Sequence, residues 1–125
     1  MQDVSELKIY QNALILLKPI YQLANLLPID ERRLRSQLTD AAKSIAPLIA
    51  EGFAKRRSQE EFKRFLLMAL GSSDEVMTHL LTIKIIGFAK IKAITCDYLI
   101  GYYKIESKQI NRCINKIISN RQDKK

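Results

Sequence analysis

Leu7, Tyr10, Leu14, Leu17, Tyr21 and Ala24 follow one another at alternating steps of three and four residues. That spacing traces one stripe along an α-helix. A second series, Ile9, Ala13, Leu16, Ile20, Leu23 and Leu27, keeps the same rhythm beside it. Together the two stripes are wider than the apolar face a helix buries in one small bundle. A helix is therefore predicted over residues 4–26 with one stripe to spare. Ile9, Ala13, Leu16, Ile20 and Leu23 are assigned to a contact with another copy of the chain, because monomers rarely expose a large apolar patch. Pro19 loosens this helix by withdrawing a backbone donor and crowding the carbonyl of Ile15.

The same periodicity continues. Leu27-Pro28-Ile29-Asp30 ends the first helix, with Asp30 expected to cap the second over residues 30–53. Leu34, Leu38, Ala41, Ile45 and Leu48 form its stripe, and Pro47 predicts a kink around residues 43–46. Ser58-x-x-Glu61 ahead of Phe62 is a capping-box pattern and opens a third helix over 59–87. Gly87 is its expected terminator, and Gly71 in its middle suggests a close helix contact. The fourth helix, 91–119, uses Ile91, Ile94, Tyr98, Tyr102, Ile105, Ile110, Ile114 and Ile117, with its phase broken by a step of five at Ile105–Ile110. No strand pattern competes, so the class is all-α: an antiparallel up-and-down four-helix bundle with short connections. Residues 1–120 read as one domain and 121–125 as a frayed basic tail.

Composition narrows the setting. A chain of 125 residues can bury a core without disulfides or metal. Cys96 and Cys113 lie 17 residues apart on one predicted helix, roughly 25 Å, too far to bridge within the chain. They read as small buried hydrophobes of a reducing cytoplasm. No apolar stretch follows a basic start, and no run approaches the ~20 residues a membrane span needs. The net charge of +8 favours polyanionic partners.

Gln37-Leu38-x-x-Ala41-Ala42-x-Ser44-Ile45, Ile49-Ala50-Glu51-Gly52 and Ser58-x-x-Glu61-Phe62-x-x-Phe65-Leu66-x-x-Ala69-x-Gly71-Ser72-x-x-Glu75 resemble the 23S rRNA intervening-sequence protein family. Tyr10-Gln11-x-Ala13, Ile20-Tyr21 and Leu27-Pro28 fit the same pattern. The resemblance covers about residues 7–120 and is most specific through the second and third helices. It implies a left-handed bundle assembled as a ring-shaped homopentamer, with no catalytic activity. It also gives Ser44, Glu51, Gly52, Ser58, Glu61, Phe62, Gly71, Ser72 and Glu75 structural roles. A related group serves as accessory subunits of diversity-generating retroelements, engaging reverse transcriptase and nucleic acid. This chain departs at Leu48, where members usually carry Asn, and in the turn after Gly52, which is longer and lacks a second glycine.

Catalytic and metal readings fare poorly against plainer ones. His79 is the only histidine, and no ligand-spaced cysteines accompany it. Glu51 and Glu75 lie on adjacent antiparallel helices and are open to pairing for acid–base work, but in so basic a chain they are read as ion-pair or turn residues. Gly71-Ser72 lacks the strand, lysine and glycine-rich loop of a phosphate cradle. No enzymatic activity, cofactor, metal or small-molecule substrate is expected.

Two basic features stand out. Lys55, Arg56 and Arg57 occupy the turn between the second and third helices, with Lys63 and Arg64 one turn on. Lys104, Lys108, Arg112 and Lys116, each four apart, make a stripe on the fourth helix. From Lys104 to Lys125 there are seven basic and two acidic residues. The plain reading is a solvated face; the functional one is contact with RNA or DNA phosphates. Tyr98, Tyr102 and Tyr103 are read as core and interface. The sequence thus favours a non-enzymatic cytoplasmic oligomer that binds nucleic acid, structured RNA in particular. The alternative is an accessory scaffold that docks a partner protein such as a reverse transcriptase.

Overall fold

In a computed structural model the described residues, 3–123, form four helices and contain no strand. The first is divided into α1 (Lys8–Ile15) and α2 (Leu17–Ala24), preceded by a 3₁₀ turn at Val4–Glu6. The division falls at Leu16, four residues before Ile20, where Pro19 leaves the Ile15 carbonyl without its helical donor. A second 3₁₀ turn, Ile29–Glu31, leads into α3 (Arg32–Ala54), followed by α4 (Gln59–Ile86) and α5 (Ala93–Asp123). Glu31 rather than Asp30 is the N-cap of α3, and it makes no side-chain cap bond. Helix α3 runs unbroken through Pro47. Helix α5 reaches Asp123, into the segment expected to fray, while Lys124 and Lys125 lie outside the described residues.

The termini that follow the sequence rules do so with visible hydrogen bonds. Ser58 Oγ accepts the Glu61 amide at 3.2 Å, which satisfies one orphan donor of α4. The reciprocal half of the capping box is absent: Ser58 N–H donates to Lys55 O, and Glu61 turns to Arg64. Gly87 closes α4 at φ 79°, in left-handed space that a side chain would strain. Arg35 is an unforeseen cap. From α3 it donates Nε to Ala24 O and Nη2 to Leu27 O, satisfying carbonyls at the end of α2.

Burial reverses the two stripes of the first helix. Ile9, Ala13, Leu16, Ile20 and Leu23, assigned to an intermolecular contact, lie inside the chain's own core with Leu38, Ile45, Leu66 and Leu80. They face α3 and cannot serve as a free surface. Leu14 and Tyr21 of the other series are exposed instead. The fourth helix is corrected similarly. Its seam runs Cys96, Leu99, Tyr103, Glu106 and Ile110, leaving Ile94, Tyr98, Tyr102 and Ile105 exposed. Steps of three and four pass through Glu106, so the charged residue conceals the register and no step of five is needed.

Close approach of helices occurs at Gly52 and not at Gly71. A Cβ on Gly71 would meet nothing within 4 Å, whereas one on Gly52 would press on Phe65 and Phe62. Leu48 is half-buried and packs on the core.

Candidate nucleic-acid interface

The candidate surface is built at one end of the bundle by the register of antiparallel helices. Ser44 donates to Ser72 Oγ at 2.8 Å, and Gly52 abuts Phe65, which fixes α3 against α4. On the other flank Ser107 Oγ lies 2.8 Å from both Ser73 Oγ and Asp74 Oδ1 and shares its one proton between them, while Ser73 donates to Tyr103 O. Near the opposite end Lys84 pairs with Asp97 at 2.8 Å. This register puts the C-terminal half of α5 beside the start of α4. The basic turn and the far part of the basic stripe, Arg112 and Lys116, therefore share one end of the molecule.

At that end the cations rest on phenylalanines. The Arg56 guanidinium stacks 4.0 Å from the Phe53 ring centroid, and its Nη1 donates to Phe53 O at 2.9 Å. Lys55 Nζ and the Arg64 guanidinium sit 4.7 and 4.6 Å from the centre of Phe65. Phe53 and Phe62 meet edge to face at 6.5 Å, anchoring this cluster beside Gly52. Such contacts hold long side chains in place and lower the entropy lost when they take up an anion. Arg64 also forms a 2.6 Å bond with Glu61 Oε2, and that bond holds the Glu61 carboxyl below the usual range. Arg57 is exposed, Lys63 is half-buried, and Arg56 and Lys55 present their charges to solvent.

Lys104, Lys108, Arg112 and Lys116 are all exposed along α5. Glu106 does little to neutralise them at pH 7. It is buried, and desolvation pushes its carboxyl up to about 8, so at neutral pH it is mostly the uncharged acid.

The residues carried by the family pattern do structural work at the α3–α4 contact. Ser44 and Ser72 bond each other, Gly52 admits Phe62 and Phe65, Ser58 caps, and Glu61 pairs with Arg64. The exposed Glu75 bonds the half-buried His79 at 3.1 Å. Glu51 is exposed, and the Gly52–Phe65 register leaves it about 15 Å along the bundle from Glu75, so no carboxylate pair forms. Among the described residues no group of three or more His, Cys, Asp or Glu side chains could hold a metal. No helix there is long and apolar enough to cross a membrane. Cys96 and Cys113 are free thiols, raised above their ordinary values by burial.

A second surface was not legible beforehand. α2 and α5 stand apart, and the gap forms a hollow of about 540 Å³ lined by Asn12, Ile15, Pro19, Leu99, Tyr102 and Ile105. Ile15 is 70 % exposed and Tyr98, on the adjoining rim, 65 %, an apolar groove unusual for a monomer.

Residues 5–111 match the family model described as 23S rRNA-intervening sequence protein. No curated protein matches the chain.

Proposed function

The chain belongs to the 23S rRNA-intervening sequence protein family, and on that premise we propose a non-enzymatic, self-assembling protein that binds nucleic acid, structured RNA foremost. Phosphates are the atoms it contacts. The observation that carries this reading is the basic end: Lys55, Arg56, Arg57 and Arg64 beside Arg112 and Lys116, with three of the cations seated on phenylalanine rings. Cations so arranged position a phosphate backbone without reading base edges, so sequence specificity is low.

The apolar groove between α2 and α5 supports self-association. A second copy covering Ile15, Pro19, Tyr102 and Ile105 would bury an exposed apolar surface. A head-to-tail contact at the groove gives a ring where its rotation closes, and the family resemblance implies a ring of five subunits. Repetition of the basic end around a ring raises apparent affinity by roughly 10²–10⁴ over one subunit's contacts.

The test is a filter-binding titration of structured RNA at stepped salt. Wild type binds at low salt, and its affinity falls steeply as salt rises. Replacing Lys55, Arg56 and Arg57 together with Gln, or Lys104, Lys108, Arg112 and Lys116 together, weakens binding and flattens the salt dependence. Absence of wild-type binding at low salt refutes the proposal and leaves a protein-docking scaffold as the reading.

A further inference from the structure

Glu106 occupies a seam position of α5 that packing reserves for an apolar side chain. It is 1 % exposed, and neither carboxyl oxygen has a hydrogen-bond partner. Tyr103, one turn earlier, buries a phenolic oxygen equally without a partner. The element that closes over this region is α1. Its Asn12 donates Nδ2 to Gln109 Oε1 at 3.1 Å, a side-chain hydrogen bond between α1 and α5. Asn12 also lines the groove between α2 and α5, so the helix that covers Glu106 borders that groove.

We propose that Glu106 is a proton-operated latch on the α1–α5 seam: as a neutral acid it lies beneath the closed helix, and its ionisation releases α1 and widens the groove. The proton lost goes to solvent, and the carboxylate gains water that the closed core denies it. Two buried oxygens without partners make this site costly in either form and far costlier when charged.

The surroundings offer the charge little compensation. From α1 comes the uncharged Asn12, which favours the ionised form and offsets only part of the burial cost. From α4 comes the buried Ser73, while Asp74 is bonded to Ser107. The buried α3 positions are Leu, Ile, Ala, Gly and Phe. On α5 itself Tyr103 and Cys113 are the titratable neighbours, both pushed upward by burial first and by Glu106 in smaller part. Among the described residues no cation bears on Glu106.

Closed, the carboxyl holds its proton up to about 8; released to solvent it reverts to its ordinary value of 4.5. Below about 4.5 both forms are protonated and the latch contributes its full closing effect. Between about 4.5 and 8 only the closed form keeps the proton, so the opening equilibrium rises about tenfold per pH unit. Above about 8 both are ionised and the effect is constant. Neutral pH lies inside the working window.

Backbone hydrogen exchange on the full chain tests this, with opening constants obtained after dividing out the intrinsic base-catalysed rate. For amides of α1 the wild-type opening constant should climb about tenfold per pH unit from pH 5 to 8 and then level. Global unfolding also exposes Glu106 and carries the same slope. The buried Ile45 and Leu66 amides, in α3 and α4, should therefore differ from those of α1 in the size of the opening constant, which should be smaller by at least about tenfold. E106Q should be flat throughout. Should E106Q fail to fold, the wild-type Glu106 carboxyl carbon resonance still decides, since it must titrate near 8. The latch is overturned by a carboxyl titrating near 4.5, by pH-independent opening of α1, by the same slope in E106Q, or by α1 amides opening no more readily than those of α3 and α4.

Discussion

A Cβ built on Gly52 would stand 2.9 Å from the Cβ of Phe65, and 3.3 Å from the Phe62 ring and carbonyl. The backbones of α3 and α4 approach there as only a glycine allows. Gly52→Ala gains about 1 kcal/mol of helix propensity but forces the two helices apart at a packed contact, which costs typically 1–3 kcal/mol. The expected net outcome is a loss of stability. Gly71→Ala meets open space on an exposed helix face and should stabilise by about 0.5–1 kcal/mol. Urea midpoints moving in opposite directions for the two variants bear this out; a stabilised Gly52→Ala contradicts the close approach.

Ser58→Ala removes the acceptor for the Glu61 amide at the start of α4. The cost should be about 1 kcal/mol. Ser58→Asp keeps an acceptor and places negative charge at the helix N-terminus, so it should retain stability. Equal losses in both variants would mean that the cap contributes through something other than this bond.

The helices were legible because apolar spacing and end signals agree. Ser58 and Gly87 sit where their side-chain chemistry demands, and Pro19 marks the break in the first helix. Which stripe faces inward was not legible. Two series with the same rhythm fit the first helix, and only the position of α3 selects Ile9, Ala13 and Ile20. In α5 the seam residue Glu106 reads as surface by type, which put Tyr98 and Tyr102 in the apolar stripe, whereas Tyr103, read as core or interface, is buried. The basic residues of the candidate surface were visible individually. Their meeting at one end depends on helix register, and their stacking on Phe53 and Phe65 depends on rotamers that spacing does not encode.

Tyr103→Phe tests the neighbouring polar anomaly. The hydroxyl is buried with no partner, and deleting it leaves packing intact while relieving a desolvated group. The expected change is a gain of up to about 1–2 kcal/mol, read as a higher thermal midpoint. A loss of similar size would show that the hydroxyl has a partner in solution, buried water being the obvious one.

The apolar groove carries the last prediction. Ile15, Tyr102 and Ile105 line a hollow outside the core, and each is at least half exposed in the single chain. Charge placed there cannot unfold the bundle by disrupting buried packing. It would strongly oppose burial against a second copy, since a desolvated carboxylate without a partner costs several kcal/mol. Ile15→Glu combined with Tyr102→Glu should therefore keep wild-type helical content by circular dichroism and reduce light-scattering mass to the 14.4 kDa of one chain. Leu14→Glu, on the other flank of α1, should leave assembly in place if the groove is the contact. Wild type measuring 14.4 kDa at micromolar concentration would remove self-association altogether. An assembly untouched by the double charge but broken by Leu14→Glu would move the contact to the opposite flank of the first helix.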